Sequence, residues 1–235
     1  EFVLKRLRLG EEVRLSWALA ILRSKMKKDF EMSRLREYTG FKSGAHKFFE
    51  DEYDIGISDE EKGKMWDKAE MCLRNFFNSD VFMEIRRSDV KDWITLEDFL
   101  SFEFEGTKVF LSIDFAMRKG DSIVLYDWKT GGERLADFDL QLSLYAMYVA
   151  EKFGVDINKV DTKIFSLAID KVDSFEIDEE KVEKMRGKIR ESVRGMKVLL
   201  RDVHDNEATE EDFEKREGFV CSRCNFRKIC LEGWG

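Results

Sequence analysis

The sequence predicts an α/β fold in which a mixed central sheet is flanked by helices, and three observations carry that prediction. Two stretches rich in Val, Ile, Phe, Tyr and Leu, 108–117 and 122–128, face each other across the turn cluster Arg118-Lys119-Gly120-Asp121. An amphipathic helical stretch follows directly, with Gln141 and Tyr145 four residues apart and so on one helical face. Helical periodicity dominates both ends of the chain, giving the order helices, strands, helix, strand, helix.

Each element has its own signal. Residues 1–37 read as helical, because Leu15, Leu19, Leu22 and Met26 recur at helical spacing. Ser58 and Glu61 form a capping box that opens a helix whose apolar face is Met65, Ala69, Cys72, Leu73 and Phe76. Cys72 therefore belongs to a core stripe. Residues 80–100 are mixed and lead to the sheet, with Glu97 and Phe99 preceding a strand around 102–104 that pairs with the central hairpin. Residues 162–169 read as a fourth strand, continued past a turn by 175–177. Asp178 then caps a long helix with Val182, Met185, Ile189, Val193, Met196 and Leu200 facing inward. The expectation is one domain over 1–235: a mainly helical part to 100, the sheet and its helix over 101–177, and a basic helix, acidic loop and cysteine tail from 178.

Composition narrows the class. A chain of 235 residues that is 43% hydrophobic can bury a sizeable core, and twenty Phe with five Trp make that core aromatic. No apolar run approaches the roughly 18–20 residues that span a bilayer, and no signal peptide is visible, so a cytoplasmic protein without a membrane partner is expected. The chain has no proline and no physical reason for that is evident. A net charge of −8 does not advertise a nucleic-acid binder, but its distribution is uneven. Residues 181–201 hold eight Lys and Arg against Glu183 and Glu191, and 202–217 hold eight acids against Lys215 and Arg216. A basic stripe of that kind is either a solvated face or a track for phosphates.

The chemistry gathers around the hairpin. Side chains alternate along a strand, so Asp127 and Lys129 point the same way, and Asp114 lies within reach on the partner strand. Two carboxylates and a lysine at strand ends can hold a hard divalent cation and activate a water. The order Asp114, then Asp127-Trp128-Lys129-Thr130-Gly131, then Gln141-x-x-x-Tyr145 resembles the PD-(D/E)XK nucleases, and most of all their RecB-like branch with its D…DxKTG…QxxxY pattern. That resemblance implies a restriction-endonuclease-like core. It also implies a Mg²⁺ or Mn²⁺ site at Asp114, Asp127 and the Trp128 main-chain carbonyl, with Lys129, Gln141 and Tyr145 as further catalytic residues. The family's metal-binding His on the first long helix falls at Leu22, which cannot ligate a metal. His46, in Ser43-Gly44-Ala45-His46-Lys47-Phe48-Phe49-Glu50, is the residue that could replace it, with Glu50 one helical turn away.

The C-terminal tail holds Cys221, Cys224 and Cys230 in a C-x2-C-x5-C run, which reads as a set of metal ligands. Zinc and an iron–sulfur cluster are the competing readings. The resemblance, here to CRISPR-associated and AddB-type iron–sulfur exonucleases, implies a [4Fe–4S] cluster, with Zn²⁺ the alternative. The fourth ligand would then be Cys72 or a cysteine upstream of Glu1. The implied function is a metal-dependent DNA nuclease, an exonuclease by type, acting on single-stranded DNA or free ends in DNA repair, recombination or CRISPR adaptation. A helicase or a recombination or CRISPR protein is the expected partner. Lys184, Lys188, Arg223 and Arg227 would grip the phosphates. The alternative is a DNA-end or single-strand binding module that keeps the fold with weak or no cleavage. A weaker third reading is a structural subunit that meets a protein partner through its acidic loop.

Overall fold

A computed structural model of the chain describes residues 1–36, 46–131 and 138–232. The N-terminal helices are α1 (Phe2–Arg8), α2 (Leu15–Arg34), α3 (Phe49–Glu52), α4 (Asp59–Asn78) and α5 (Asp80–Arg87). Three strands follow, β1 (Trp93–Phe104), β2 (Thr107–Lys119) and β3 (Ser122–Lys129). After them come α6 (Phe138–Phe153), β4 (Val160–Ser166), β5 (Lys171–Phe175), α7 (Glu179–Lys197) and α8 (Arg227–Glu232). The chain divides into two compact units, one comprising Glu1–Arg23 and Gly63–Ile189, the other Ser24–Lys62 and Arg190–Gly235.

The first unit contains the sheet, whose five strands run in the order β1-β2-β3-β4-β5. Only the β3–β4 pair is parallel, because α6 carries the chain back between them; the other neighbours are antiparallel. The mixed sheet and its flanking helices are the architecture expected from the sequence. Two-residue turns fix the β1–β2 and β2–β3 registers. Glu105 and Gly106 both take positive φ between Phe104 and Thr107, as a type I′ turn demands, and Gly120 does so between Lys119 and Ser122.

The core of this unit is aromatic. Phe115 packs edge-on to Trp93 at 4.9 Å, Tyr126 stacks on Trp128 at 5.4 Å, and Phe76 of α4 meets Trp128 edge-on at 5.5 Å. Val3 and Leu4 of α1, Phe82 and Ile85 of α5, and Phe165 of β4 complete the same buried cluster. Burial of such side chains contributes about 1.5–3 kcal/mol each, which holds the helices against this face of the sheet.

Several boundaries differ from those the sequence suggested. The N-terminal helical stretch is two helices, because Gly10 adopts φ +77° and Leu9–Arg14 leave the helix. Residue 37, the expected end of that stretch, and Ser43-Gly44-Ala45 lie outside the described residues. The first strand begins at Trp93 rather than near 102, after α5 has used part of the mixed 80–100 stretch. Polar Thr95, Glu97 and Asp98 hide the alternation there. The fourth strand stops at Ser166, and the next is a separate antiparallel strand, β5, that ends at Phe175. The expected caps are present. Ser58 and Glu61 exchange hydrogen bonds (Ser58 N–H to Glu61 Oε2 2.8 Å, Glu61 N–H to Ser58 Oγ 3.2 Å), and Asp178 accepts from Lys181 N–H at 2.9 Å. Of the expected inward stripe on α7, Val182 and Ile189 are buried but Met196 is 57% exposed.

In the second unit, Phe30 stacks on Phe48 at 5.1 Å and Ser33 Oγ accepts from Phe48 N–H at 3.0 Å. Tyr53, just after α3, ties down the C-terminal tail. Its hydroxyl accepts from Lys228 N–H at 3.1 Å and donates to Asn225 O at 3.3 Å. Lys228 Nζ donates in turn to Glu52 O at 2.7 Å.

Phe115 is fully buried whereas Phe110, five residues away on the same strand, is 51% exposed. Phe115→Ala is expected to cost about 3–5 kcal/mol in chemical denaturation, and Phe110→Ala less than about 1 kcal/mol. Equal losses for the two would contradict this placement of the core.

Candidate active site

The site forms where two strands part. The β2–β3 pairing begins at Phe115↔Tyr126, and β3 continues alone to Lys129 beside β4. The Trp128 N–H finds its acceptor in Asp114 Oδ2, at 2.7 Å. Side-chain alternation along the β1–β2 ribbon changes sides at this point. Leu96 and its partner Phe115 lie in the core cluster with Phe82 and Ile85, yet Phe102, an even number of residues further along, packs on Tyr148 of α6 at 5.9 Å. Glu97, directly opposite Asp114 in this register, holds φ +56°, a strained value for a residue with a side chain. Irregularities of this sort re-aim side chains beside active sites.

On β3 the alternation is regular and sorts the residues cleanly. Tyr126 and Trp128 enter the aromatic core, while Asp127 and Lys129 face α6. There Gln141 bridges them. Its Nε2 donates to Asp127 Oδ1 at 2.9 Å and to the Tyr145 hydroxyl at 2.7 Å, and its Oε1 accepts from Lys129 Nζ at 3.2 Å. That orientation of the amide is dictated by its partners, since an ammonium only donates and a carboxylate only accepts. Lys129 Nζ also lies 2.6 Å from Asp127 Oδ2 and 5.2 Å over the Phe138 ring. The structure thus brings together Asp114, Asp127, Trp128, Lys129, Gln141 and Tyr145.

The electrostatics are those of carboxylates held away from water. Asp114 is pushed up to about 6 by burial, opposed by the Trp128 N–H and reinforced by the charges of Asp127 and Glu97. Burial also raises Asp127, against the pull of Lys129 and Gln141. Glu97 is raised by burial, with the Glu1 and Asp127 charges adding. Glu97 is the residue that sequence reasoning passed over, treating it only as a lead-in to a strand. The signal was the Glu105-Gly106 turn, since a two-residue turn there sets the register that places Glu97 opposite Asp114.

The donors suit a hard cation. Asp127 is 2% exposed, and its Oδ2 makes the close ionic contact with Lys129 but accepts no well-directed hydrogen bond. Mg²⁺ and Mn²⁺ take such carboxylate oxygens and are satisfied by one or two of them with waters and substrate phosphate. Among the described residues, no group of three or more His, Cys, Asp or Glu is arranged to hold a metal by itself. His46 is exposed in the second unit, with its Nε2 3.9 Å from Asp29 Oδ2. Leu22 lines an apolar cavity of about 230 Å³ together with Cys72, Leu73, Phe76, Trp128 and Thr130. Burial raises the Cys72 thiol, which keeps it protonated, the opposite of what a thiolate ligand needs.

Cys221, Cys224 and Cys230 are not joined in disulfides. Cys221 Sγ accepts from Gly218 N–H at 3.3 Å and Cys224 Sγ from Phe226 N–H at 3.4 Å. The proposed phosphate grips are less clear-cut. Lys184 lines a small polar hollow with Asp139, Asp178 and Glu180, and Arg227 lies 5.9 Å over the Tyr53 ring. Elsewhere on the basic stripe Arg186 pairs with Glu179, Glu183 and Glu151, so part of its charge is answered internally.

Residues 41–231 match the family model of the PD-(D/E)XK nuclease superfamily. No curated protein matches the chain.

Because the folded state binds the Asp114 proton more tightly than the unfolded chain does, this group stabilises the fold below about pH 3.8 and loses that contribution as pH rises through about 6. At most roughly 3 kcal/mol is involved. In chelator-treated protein, Asp114→Asn should therefore be more stable than the parent at pH 8 and indistinguishable from it at pH 3.5. Urea midpoints across that range check it, and a constant difference between the two chains would refute the burial of this charge.

Proposed function

The chain belongs to the PD-(D/E)XK nuclease superfamily, and from that premise we propose that it is a metal-dependent nuclease that hydrolyses phosphodiester bonds in DNA. The observation that carries the reading is the bridge from Lys129 through Gln141 to Asp127 and Tyr145, set beside the Asp114 carboxylate on the Trp128 N–H. A nuclease needs carboxylates for a cation, a cation of its own near the attacked phosphorus, and a frame that keeps the two in place. These residues meet all three needs.

Asp114 and Asp127 would hold Mg²⁺ or Mn²⁺, with the Trp128 carbonyl as a further oxygen donor and Glu97 adding negative charge nearby. When bound, the metal supplies Lewis-acid polarisation of the phosphate and lowers the pKa of water. The rest falls to the side chains. Gln141 fixes the rotamer of Asp127 and the direction of Lys129 at once. Tyr145, receiving a hydrogen bond from Gln141, fixes Gln141. Lys129 donates hydrogen bonds to the attacking oxygen or to the phosphate oxygens on which charge accumulates. Asp127 and the Tyr145 ring are buried beneath α6, which keeps the local dielectric low, so each of these interactions acts at greater strength.

Action from strand ends, as an exonuclease of the RecB-like iron–sulfur type, is the finer form of the proposal. Repair, recombination or CRISPR adaptation would be its setting. In it Cys221, Cys224 and Cys230 bind a [4Fe–4S] cluster, with Zn²⁺ as the alternative. The C-x2-C-x5-C spacing and the N–H···S bonds to Cys221 and Cys224 support ligand thiolates. A DNA-end clamp with little cleavage is the second reading. Leu22 favours it, since that position opens on an apolar cavity and offers no ligand.

With Mg²⁺ or Mn²⁺ on end-labelled single- and double-stranded DNA, the parent is expected to release mononucleotides or short products. Chelator should stop the reaction, and Lys129→Ala should slow it by about 10²-fold or more. Gln141→Ala, which leaves the donors in place but unbraced, should cost about 10- to 100-fold. Binding without metal-dependent cleavage would replace the enzyme with the clamp. For the tail, Cys221→Ser is expected to lower bound iron and sulfide in anaerobically purified protein; zinc in their place would reverse the cofactor assignment.

A further inference from the structure

The β1–β2 ribbon has one buried face, where Leu111 and Ile113 lie, and one face open to solvent. A solvent-facing strand surface is ordinarily polar, yet this one carries two aromatic rings. Phe99 is 76% exposed and Phe110 is 51% exposed. The two rings stack on each other with centroids 5.2 Å apart and planes within 13°. In the register, Phe99 opposes Ser112 and Phe110 opposes Ser101, so the rings meet diagonally across the ribbon and each faces a small side chain on the other strand. Lys108 places its ammonium 5.1 Å over the Phe110 ring.

Position gives this pair its meaning. Phe99 is two residues from Glu97, and Phe110 is four residues from Asp114 on the other strand. At about 3.3 Å per residue, the platform begins roughly 7 Å along the chain from the carboxylates and extends to about 13 Å. That is the range over which a strand held at the cleaved phosphate must lay its neighbouring bases. A cross-strand aromatic pair also stabilises a ribbon, but only by about 0.2–1 kcal/mol. Such a pair could serve that end while buried, as Trp93 and Phe115 do.

We propose that Phe99 and Phe110 form a stacking platform for unpaired bases of the DNA strand that enters the site, with Lys108 answering an adjacent phosphate. The inference rests on the nuclease reading and deepens it by naming the substrate class: a strand with unpaired bases. Every base has a π-face, so stacking of this kind is indifferent to sequence, and a duplex hides the faces it needs. The platform therefore selects single strands and frayed ends over closed duplex without reading sequence.

The test uses the full chain in the Asp127→Asn background, which removes cleavage. Fluorescence anisotropy measures binding of a labelled oligothymidylate, the same strand with single abasic positions, and a closed duplex hairpin. Phe99→Ala and Phe110→Ala are each expected to weaken single-strand binding by about 5- to 100-fold, to leave hairpin binding unchanged, and to leave the thermal midpoint within a few degrees. Phe99→Trp should retain binding. One abasic position should weaken the parent and have no further effect on the Phe99→Ala, Phe110→Ala double variant. An abasic penalty of equal size in parent and double variant overturns the platform, as does a loss of thermal stability with no change in binding. In both cases metal-dependent cleavage by the unmodified chain would leave the nuclease reading standing. A chain that neither binds nor cuts any of these DNAs removes both.

Discussion

Where β2 parts from β3, the Trp128 N–H loses its place in the ladder, and the site is organised by what replaces it. A buried donor without an acceptor costs about 1–3 kcal/mol, so the fold must supply one, and Asp114 does. The substitution places a carboxylate at the point where the strands open. The next residue back along β3, Asp127, faces α6 and meets Gln141. One local requirement of the backbone thus sets two carboxylates beside each other, and Lys129 follows because it shares a strand face with Asp127. The change of side on the β1–β2 ribbon and the positive φ of Glu97 belong to the same event, since the ribbon must leave the plane of the sheet for the wedge to exist.

The arrangement is costly for the fold and useful for chemistry. Glu97, Asp114 and Asp127 all have their carboxyls raised by burial, the Asp127 charge raises Glu97 and Asp114 further, and the Glu97 charge adds to the rise of Asp114. Lys129 is bonded into the network and answers Asp127. Buried carboxylates in a setting of low dielectric are where an added divalent cation would gain much. A positive φ within a strand, at Glu97, and carboxyls raised by burial coincide within a few residues, while the other positive-φ residues of the sheet, Glu105 and Asp170, lie in turns.

That division explains how much the sequence disclosed. The central hairpin was legible because its turn and its β-branched and aromatic runs obey simple patterns. The DxK spacing was legible because period-two alternation alone puts Asp127 and Lys129 on one face. Gln141 and Tyr145 followed from helical spacing. What was hidden had a physical reason in each case. The start of β1 was obscured by Thr95, Glu97 and Asp98, polar residues placed where the strand bends toward the site. Glu97 needed a tertiary register to be seen at all. The break at Gly10 was masked by apolar spacing that continues across it. His46 rested on residue type alone, and the structure shows it 3.9 Å from Asp29 in the second unit.

Leu22 is best understood from the face of β3 that it approaches. Together with Phe76, Leu73 and Trp128 it walls an apolar cavity, and Trp128 belongs to the core side of β3, whereas Asp127 and Lys129 belong to the α6 side. Most of that wall is aromatic or aliphatic, with Glu1 and Thr130 its polar members, and a leucine packs against it without leaving a polar atom to satisfy. Asp114, Asp127 and the neighbouring Glu97 are the acids grouped at the strand opening. An apolar residue at position 22 and three acids around the strand opening follow the same partition of β3 into an aromatic face and a charged one.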